Sequence, residues 1–170
     1  MTVRGTARRT RKGKRAAASI SNIPAALEFI RAMGKGDLAK GREELVNNAE
    51  LCAEMTRAGA LALGLKLYSS PPAAALTAIS SPDGVDSGKI VKEFRESFDA
   101  VVANGQGEMK GKLFRIAHIG YYDYLDTIGI LAALEHVLAK TTGRTVEYGA
   151  AVRAAQEVYA RATEPSLAAR

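Results

Sequence analysis

Residues 103–138 read ANGQGEMKGKLFRIAHIGYYDYLDTIGILAALEHVL, and they decide the fold of this chain. A glycine-rich turn separates a short strand, predicted at 100–103, from a second strand predicted at 113–119. Asp123 then precedes an amphipathic run, which predicts a capped helix that continues to Ala139. Two strands joined by a turn and followed by a helix favour a hairpin-like pair with a helix packed against it.

The rest of the chain predicts helices around a few further short strands. Helices are expected at 24–33, 38–63, 88–98 and 146–162, and strands at 65–68 and 74–79. This pattern predicts an α+β fold, a small and mostly antiparallel sheet with helices packed on one side. We expect one domain at 23–162, a basic and disordered tail at 1–22, and a C-terminal tail at 163–170.

Composition restricts the class of protein. The chain has 170 residues, 47% of them hydrophobic and 25% charged, as is usual for one globular domain. No apolar run is long enough to span a bilayer, and the basic start lacks the apolar block of a secretory signal. A single cysteine, Cys52, excludes an internal disulfide and fits a reducing compartment, which predicts a cytoplasmic location.

The net charge of +6 comes from one end of the chain. Residues 1–15 hold seven basic residues and no acidic one, and the remaining 17 basic and 18 acidic residues nearly balance. Clustered Lys and Arg bind nucleic-acid phosphates, so this segment leaves open the alternative of a non-catalytic binding module, such as one that binds nucleic acid. The segment contains no aromatic residue for base stacking, which favours a solvated tail instead.

Arg115 is the candidate binding residue. Alternate side chains of a strand share a face, so Arg115 is expected opposite Phe114, Ile116 and His118. Burying an arginine among apolar neighbours is costly unless a negative group meets it, and its planar fork suits a carboxylate. From the residues alone, a structural ion pair, a surface side chain and a carboxylate-binding residue all remain open.

Other chemistry-bearing residues predict structural roles. His118 is expected to be a core histidine with one hydrogen bond, and His136 to lie on the exposed side of its helix. Cys52 falls in the apolar stripe of a long helix, where a thiol is usually inert. The turn around Gly105 and Gly107 lacks the third glycine and the following helix of a dinucleotide site. We therefore predict no metal site and no nucleophile–base pair.

The motif GQG-x-M-KGK-x-FRI-x-H-x-GYYD resembles the C-terminal small domain of the class V, fold-type I aminotransferases, which use pyridoxal phosphate (PLP). The most similar group is the serine–pyruvate, alanine–glyoxylate and serine–glyoxylate aminotransferases, and the resemblance covers 23–162, most strongly 65–138. It implies that Arg115, in FRI, holds the substrate carboxylate. It also implies a homodimer acting on small amino acids and 2-oxo acids.

In this family the N-terminal large domain carries the Schiff-base lysine and the groups that hold PLP. The resemblance does not extend to such a domain in this chain, which therefore looks like the C-terminal portion of the enzyme. We expect the chain alone to lack a catalytic residue and a cofactor-binding residue, and to be inactive. Its lysines, such as Lys89, Lys92, Lys110 and Lys112, lie at a helix start or in a turn.

Overall fold

A computed structural model describes residues 23–164 of the chain. Residues 1–22 and 165–170 lie outside the described residues. The prediction that the basic segment binds nucleic acid, or is a disordered tail, therefore concerns residues that the structure does not describe. The described residues divide into two compact units, residues 23–42 and residues 43–164.

The described part of the first unit is helical. Helix α1 (Ile23–Met33) carries Pro24 in its first turn, where a missing backbone N–H costs nothing. Helix α2 (Leu38–Ala62) begins after Asp37, whose Oδ1 accepts the backbone N–H of Lys40 at 3.0 Å. Both helices were predicted, and Asp37 is a residue type that commonly caps a helix. Helix α2 continues into the second unit.

The second unit contains a three-stranded antiparallel sheet. Strands β1 (Leu76–Ser80), β2 (Ala103–Asn104) and β3 (Leu113–Ala117) lie in the order β1-β3-β2. The longest predicted strand is therefore central, and the predicted antiparallel sheet is confirmed.

The predicted strand at 65–68 is wrong as a full strand, because only an isolated bridge joins Leu67 to Ile79. Pro71 and Pro72 follow closely, and prolines have no N–H to extend a ladder.

Three more helices complete the second unit. Helices α3 (Ser87–Phe98) and α4 (Tyr124–Thr142) are capped by Asp86 and Asp123, and the Asp123 cap was predicted. Helix α4 runs three residues beyond the predicted end because the left-handed residue that stops it is Gly143. Helix α5 (Ala150–Thr163) begins four residues later than predicted.

One face of the sheet forms the core. Phe114, Ile116 and Ile79 are buried in a single cluster with side chains from helices α2, α3, α4 and α5. The opposite face carries Ala78 and Arg115, which are half-buried. Helices therefore pack on one side of the sheet, as the sequence predicted. No helix among residues 23–164 is long and apolar enough to cross a membrane.

Candidate functional site

Arg115 lies at the centre of the sheet face that does not join the core. Its neighbours across the two ladders are Ala78 in β1 and Ala103 in β2. Both are alanines, so neither directly opposed side chain is large enough to cover the guanidinium. The predicted division of β3 is confirmed, because Phe114 and Ile116 are buried whereas Arg115 is half-buried.

The guanidinium of Arg115 is held by a neutral acceptor. Its Nε and Nη2 atoms donate to the backbone carbonyl of Asn104, at 3.2 Å and 2.9 Å. The side chain is therefore oriented by the neighbouring strand. It is not the freely exposed side chain of a surface arginine.

No carboxylate of the described residues lies within ion-pair distance of Arg115. The bonds to Asn104 use the Nε–Nη2 edge, so Nη1 and the second N–H of Nη2 have no acceptor within residues 23–164. These remaining N–H groups form the edge that can donate two parallel hydrogen bonds to one carboxylate. Their arrangement fits a planar anion that comes from outside the described chain.

The turn between β2 and β3 brings the arginine and its acceptor together. It contains a short 3-10 helix (Gly107–Met109), and positive φ angles occur at Gly107 and Gly111. The predicted role of the glycines, to permit left-handed backbone in this connection, is confirmed for Gly107 but not for Gly105, which has no positive φ. A strand follows the turn, so the turn does not lead into a helix N-terminus as the turn of a dinucleotide site does.

His118 is a core residue, as predicted. It is 1% exposed, and its Nε2 lies 2.9 Å from the hydroxyl of Thr77. Burial, with a smaller contribution from the charge of Arg57, lowers the pKa of His118 to about 4. The ring is therefore neutral at physiological pH.

The remaining candidates also hold structural positions. His136 is exposed and lies against the rings of Phe98 and Tyr148, with centroid distances of 6.0 Å and 4.6 Å. Cys52 is 1% exposed, and burial is the main cause that raises the pKa of its thiol. Within residues 23–164, no group of three or more His, Cys, Asp and Glu side chains could hold a metal ion.

Sequence reasoning missed Asn104, which supplies the acceptor for Arg115. The acceptor is a backbone carbonyl, which every residue possesses, so no residue type marks it in the sequence. An asparagine directly before a glycine turn is a recognisable turn signal, but it does not identify the side chain that the carbonyl will meet.

PLP enzymes hold their cofactor through a lysine Schiff base that the site shields from solvent, and no described lysine is shielded in this way. Every lysine among residues 23–164 is exposed. Lys92 and Lys140 are in ion pairs with glutamates, and Lys110 and Lys112 lie around the β2–β3 turn. No chemical step through PLP can be assigned to this part of the chain.

Comparison with known proteins gives relatives over most of the chain, although no model of a protein family matches it. The soluble hydrogenase small subunit of Synechococcus sp. strain PCC 6716 is 36% identical, over 73% of this chain and 33% of that protein. The L-aspartate–glyoxylate aminotransferase of Paracoccus denitrificans is 34% identical, over 74% of this chain and 32% of that protein.

Solved structures agree with the aminotransferase names. Pyridoxamine–pyruvate aminotransferase from Mesorhizobium loti superposes with a TM-score of 0.69 and 32% identity, over 74% of this chain and 33% of that one. The chain thus spans about a third of the length of the curated relatives that it matches. Over the third that it shares with them, the chain belongs to the class V aminotransferases.

Proposed function

We propose that residues 23–162 act as the C-terminal domain of a PLP-dependent aminotransferase, in which Arg115 binds the α-carboxylate of the substrate. The reaction would move an amino group between a small amino acid, such as serine or alanine, and pyruvate or glyoxylate. The related proteins are named for glyoxylate and pyruvate as acceptors, which supports this substrate class.

The observation that carries the proposal is the state of the Arg115 guanidinium. A half-buried arginine is normally paired with a carboxylate, because leaving its charge uncompensated is costly. Arg115 is instead aligned by the carbonyl of Asn104, with a two-donor edge left for a further acceptor. A substrate carboxylate at that edge would complete the charge pair and fix the orientation of the Cα–H bond.

PLP and the Schiff-base lysine would belong to a part of the enzyme that this chain does not match. The chain alone is therefore proposed to be inactive, and the complete enzyme to be a cytoplasmic homodimer. These proposals follow from the family and from the exposure of every described lysine.

A titration of the isotopically labelled chain with pyruvate and with glyoxylate tests the binding role. The NMR signal of the Arg115 Nε–H group should shift with each ligand, with millimolar affinity because the rest of the site would come from elsewhere. Arg115→Lys should weaken binding, because a point charge lacks the fork. Arg95→Lys, at an exposed position on α3, is the matched control and should bind as the parent does. Binding that survives Arg115→Lys unchanged would refute the assignment.

A further inference from the structure

The side chain of Asn104 gathers donors from three places. Its Oδ1 atom accepts the hydroxyl of Ser87 at 2.6 Å, the backbone N–H of Gly105 at 2.8 Å and that of Gly111 at 3.4 Å. Ser87 is the first residue of α3 and is fully buried, so this donor belongs to a rigid element. One amide oxygen therefore connects both ends of the β2–β3 turn to the start of α3.

Backbone hydrogen bonds strengthen the same connection. The N–H of Ser87 donates to the carbonyl of Gly111 at 2.9 Å, and that of Gly105 donates to the carbonyl of Leu113 at 2.9 Å. One of these bonds joins the turn to α3 and the other joins its two ends, and the Asn104 side chain accepts N–H groups from both ends of the turn.

The backbone carbonyl of Asn104 is the group that receives the guanidinium of Arg115. Side chain and carbonyl belong to one residue, so immobilising the side chain restricts rotation of the peptide plane that carries the carbonyl. Without that restriction, the carbonyl could turn and the arginine would lose its orientation. Ligand binding would then have to immobilise the arginine side chain, at a cost in rotamer entropy that folding otherwise covers. A bidentate contact to a carboxylate needs that orientation.

We infer that Asn104 is a positioning residue: its amide oxygen fixes the carbonyl that orients Arg115 toward the substrate carboxylate. This inference rests on the proposed function, because the orientation matters only if Arg115 binds a carboxylate. Asn104 itself does not touch the substrate.

Two substitutions of similar size separate positioning from general stability. Asn104→Leu removes the acceptor, whereas Asn104→Asp keeps an oxygen for Ser87 and the two glycine N–H groups. In Asn104→Leu the hydrogen-bonded Nε–H signal of Arg115 should shift and exchange faster with water, and the affinity for pyruvate should fall about tenfold. Asn104→Asp should retain the signal and bind within about threefold of the parent.

Two further variants keep the test decisive if Asn104→Leu folds poorly. Ser87→Ala removes one of the three donors and should alter the Arg115 signal in the same direction, by a smaller amount. Ser81→Ala removes a hydroxyl that donates to the carbonyl of Val85 at 2.5 Å and has no bond to Asn104. It should leave both the signal and the affinity unchanged.

The outcomes distinguish this inference from the function on which it rests. If the parent chain binds no pyruvate at Arg115, the proposed function fails and takes the inference with it. If the parent binds and the folded Asn104→Leu or Ser87→Ala variants keep both signal and affinity, only the inference is overturned. The inference would also be overturned if Asn104→Asp lost as much affinity for pyruvate, and changed the Arg115 signal as much, as Asn104→Leu.

Discussion

Arg115 and His118 lie three residues apart around strand β3 but meet opposite environments. The pleat directs His118 into the core, where burial disfavours its charged form, and Arg115 to the other face, where its donors can reach a ligand. Alternation in FRIAH was enough to predict both positions. The acceptor of Arg115 was not predictable, because a carbonyl on the adjacent strand depends on register.

His118 gives the chain a pH-dependent stability. Its pKa of about 4 in the folded state lies below the ordinary value of 6.5, so the unfolded chain binds the extra proton first as pH falls. Stability from this residue is fully present above pH 6.5 and decreases as pH falls toward 4. We expect a loss of about 2 kcal/mol over that range, allowing for screening.

Urea unfolding at pH 7 and at pH 5 measures this loss. The free energy of unfolding of His118→Gln should change less between pH 7 and pH 5 than that of the parent, because the contribution of His118 is absent. The variant is also expected to be less stable than the parent at pH 7. An equal dependence of the free energy of unfolding on pH in parent and variant would show that His118 is not protonated on unfolding.

Glu135 is a buried carboxylate with a structural purpose that the sequence did not suggest. It is 3% exposed, and its two oxygens accept the N–H groups of Gly149 at 2.7 Å and Ala151 at 2.9 Å, at the start of α5. Negative charge at a helix N-terminus is stabilising. The carboxylate oxygens also accept backbone N–H groups of the first turn, which have no acceptor within the helix. This contact explains why α5 begins at Ala150, later than its hydrophobic pattern predicted.

Replacing Glu135 should therefore destabilise the second unit. Glu135→Ala leaves the half-buried N–H of Gly149 and the buried N–H of Ala151 without their acceptor, and it should cost roughly 3 kcal/mol in the free energy of unfolding. Glu135→Gln keeps one acceptor and should cost about half as much. Thermal unfolding of both variants checks the order; equal stability of Glu135→Ala and the parent would contradict the role of this contact.

At the scale of elements, the β2–β3 turn depends on particular glycines. A Cβ atom at Gly105 would lie 1.9 Å from the carbonyl oxygen of Met109, whereas one at Gly107 would meet nothing within 4 Å. The sequence indicated that glycines in this turn permit left-handed backbone, which is true of Gly107. It did not indicate that Gly105 is required because any larger side chain would clash with the backbone of Met109.

A matched pair of substitutions tests this difference. Gly105→Ala should cost roughly 2–4 kcal/mol because the turn must open, and it should also weaken pyruvate binding through the displaced Asn104. Gly107→Ala should cost about 1 kcal/mol, from its positive φ alone, and leave binding unchanged. Denaturant unfolding and the pyruvate titration compare the two; similar effects would show that Gly105 has no special steric role.

The boundaries of the elements were less predictable than their order. The order of helices and strands from α1 to α5 followed from periodicity and caps, because Asp37, Asp86 and Asp123 hydrogen-bond to helix N–H groups locally. The strand expected at 65–68 depends on pairing with distant residues, so local sequence could not decide its length. The same applies to the two-residue strand β2.

At the scale of the whole molecule, the exposure of every described lysine bears on activity. The isolated chain mixed with PLP and with serine or alanine plus glyoxylate should show no turnover, because every described lysine is exposed to solvent and none is shielded as a Schiff-base lysine would be. Borohydride reduction followed by mass spectrometry should find no single lysine modified above background. A stable PLP adduct at one lysine, together with turnover, would contradict this expectation.

The central claim is that Arg115 binds the substrate carboxylate of an aminotransferase, and a hybrid enzyme tests it most directly. Residues 43–164 would replace the matching segment of the pyridoxamine–pyruvate aminotransferase from Mesorhizobium loti, and kcat/KM would be measured for the hybrid and its variants. Arg115→Ala should lose on the order of 2–5 kcal/mol of transition-state stabilisation, with Arg115→Lys recovering part of it. Cofactor absorbance should stay constant, and Arg95→Ala should behave as the parent hybrid. An Arg115→Ala hybrid that folds and retains the parent kcat/KM would contradict the claim.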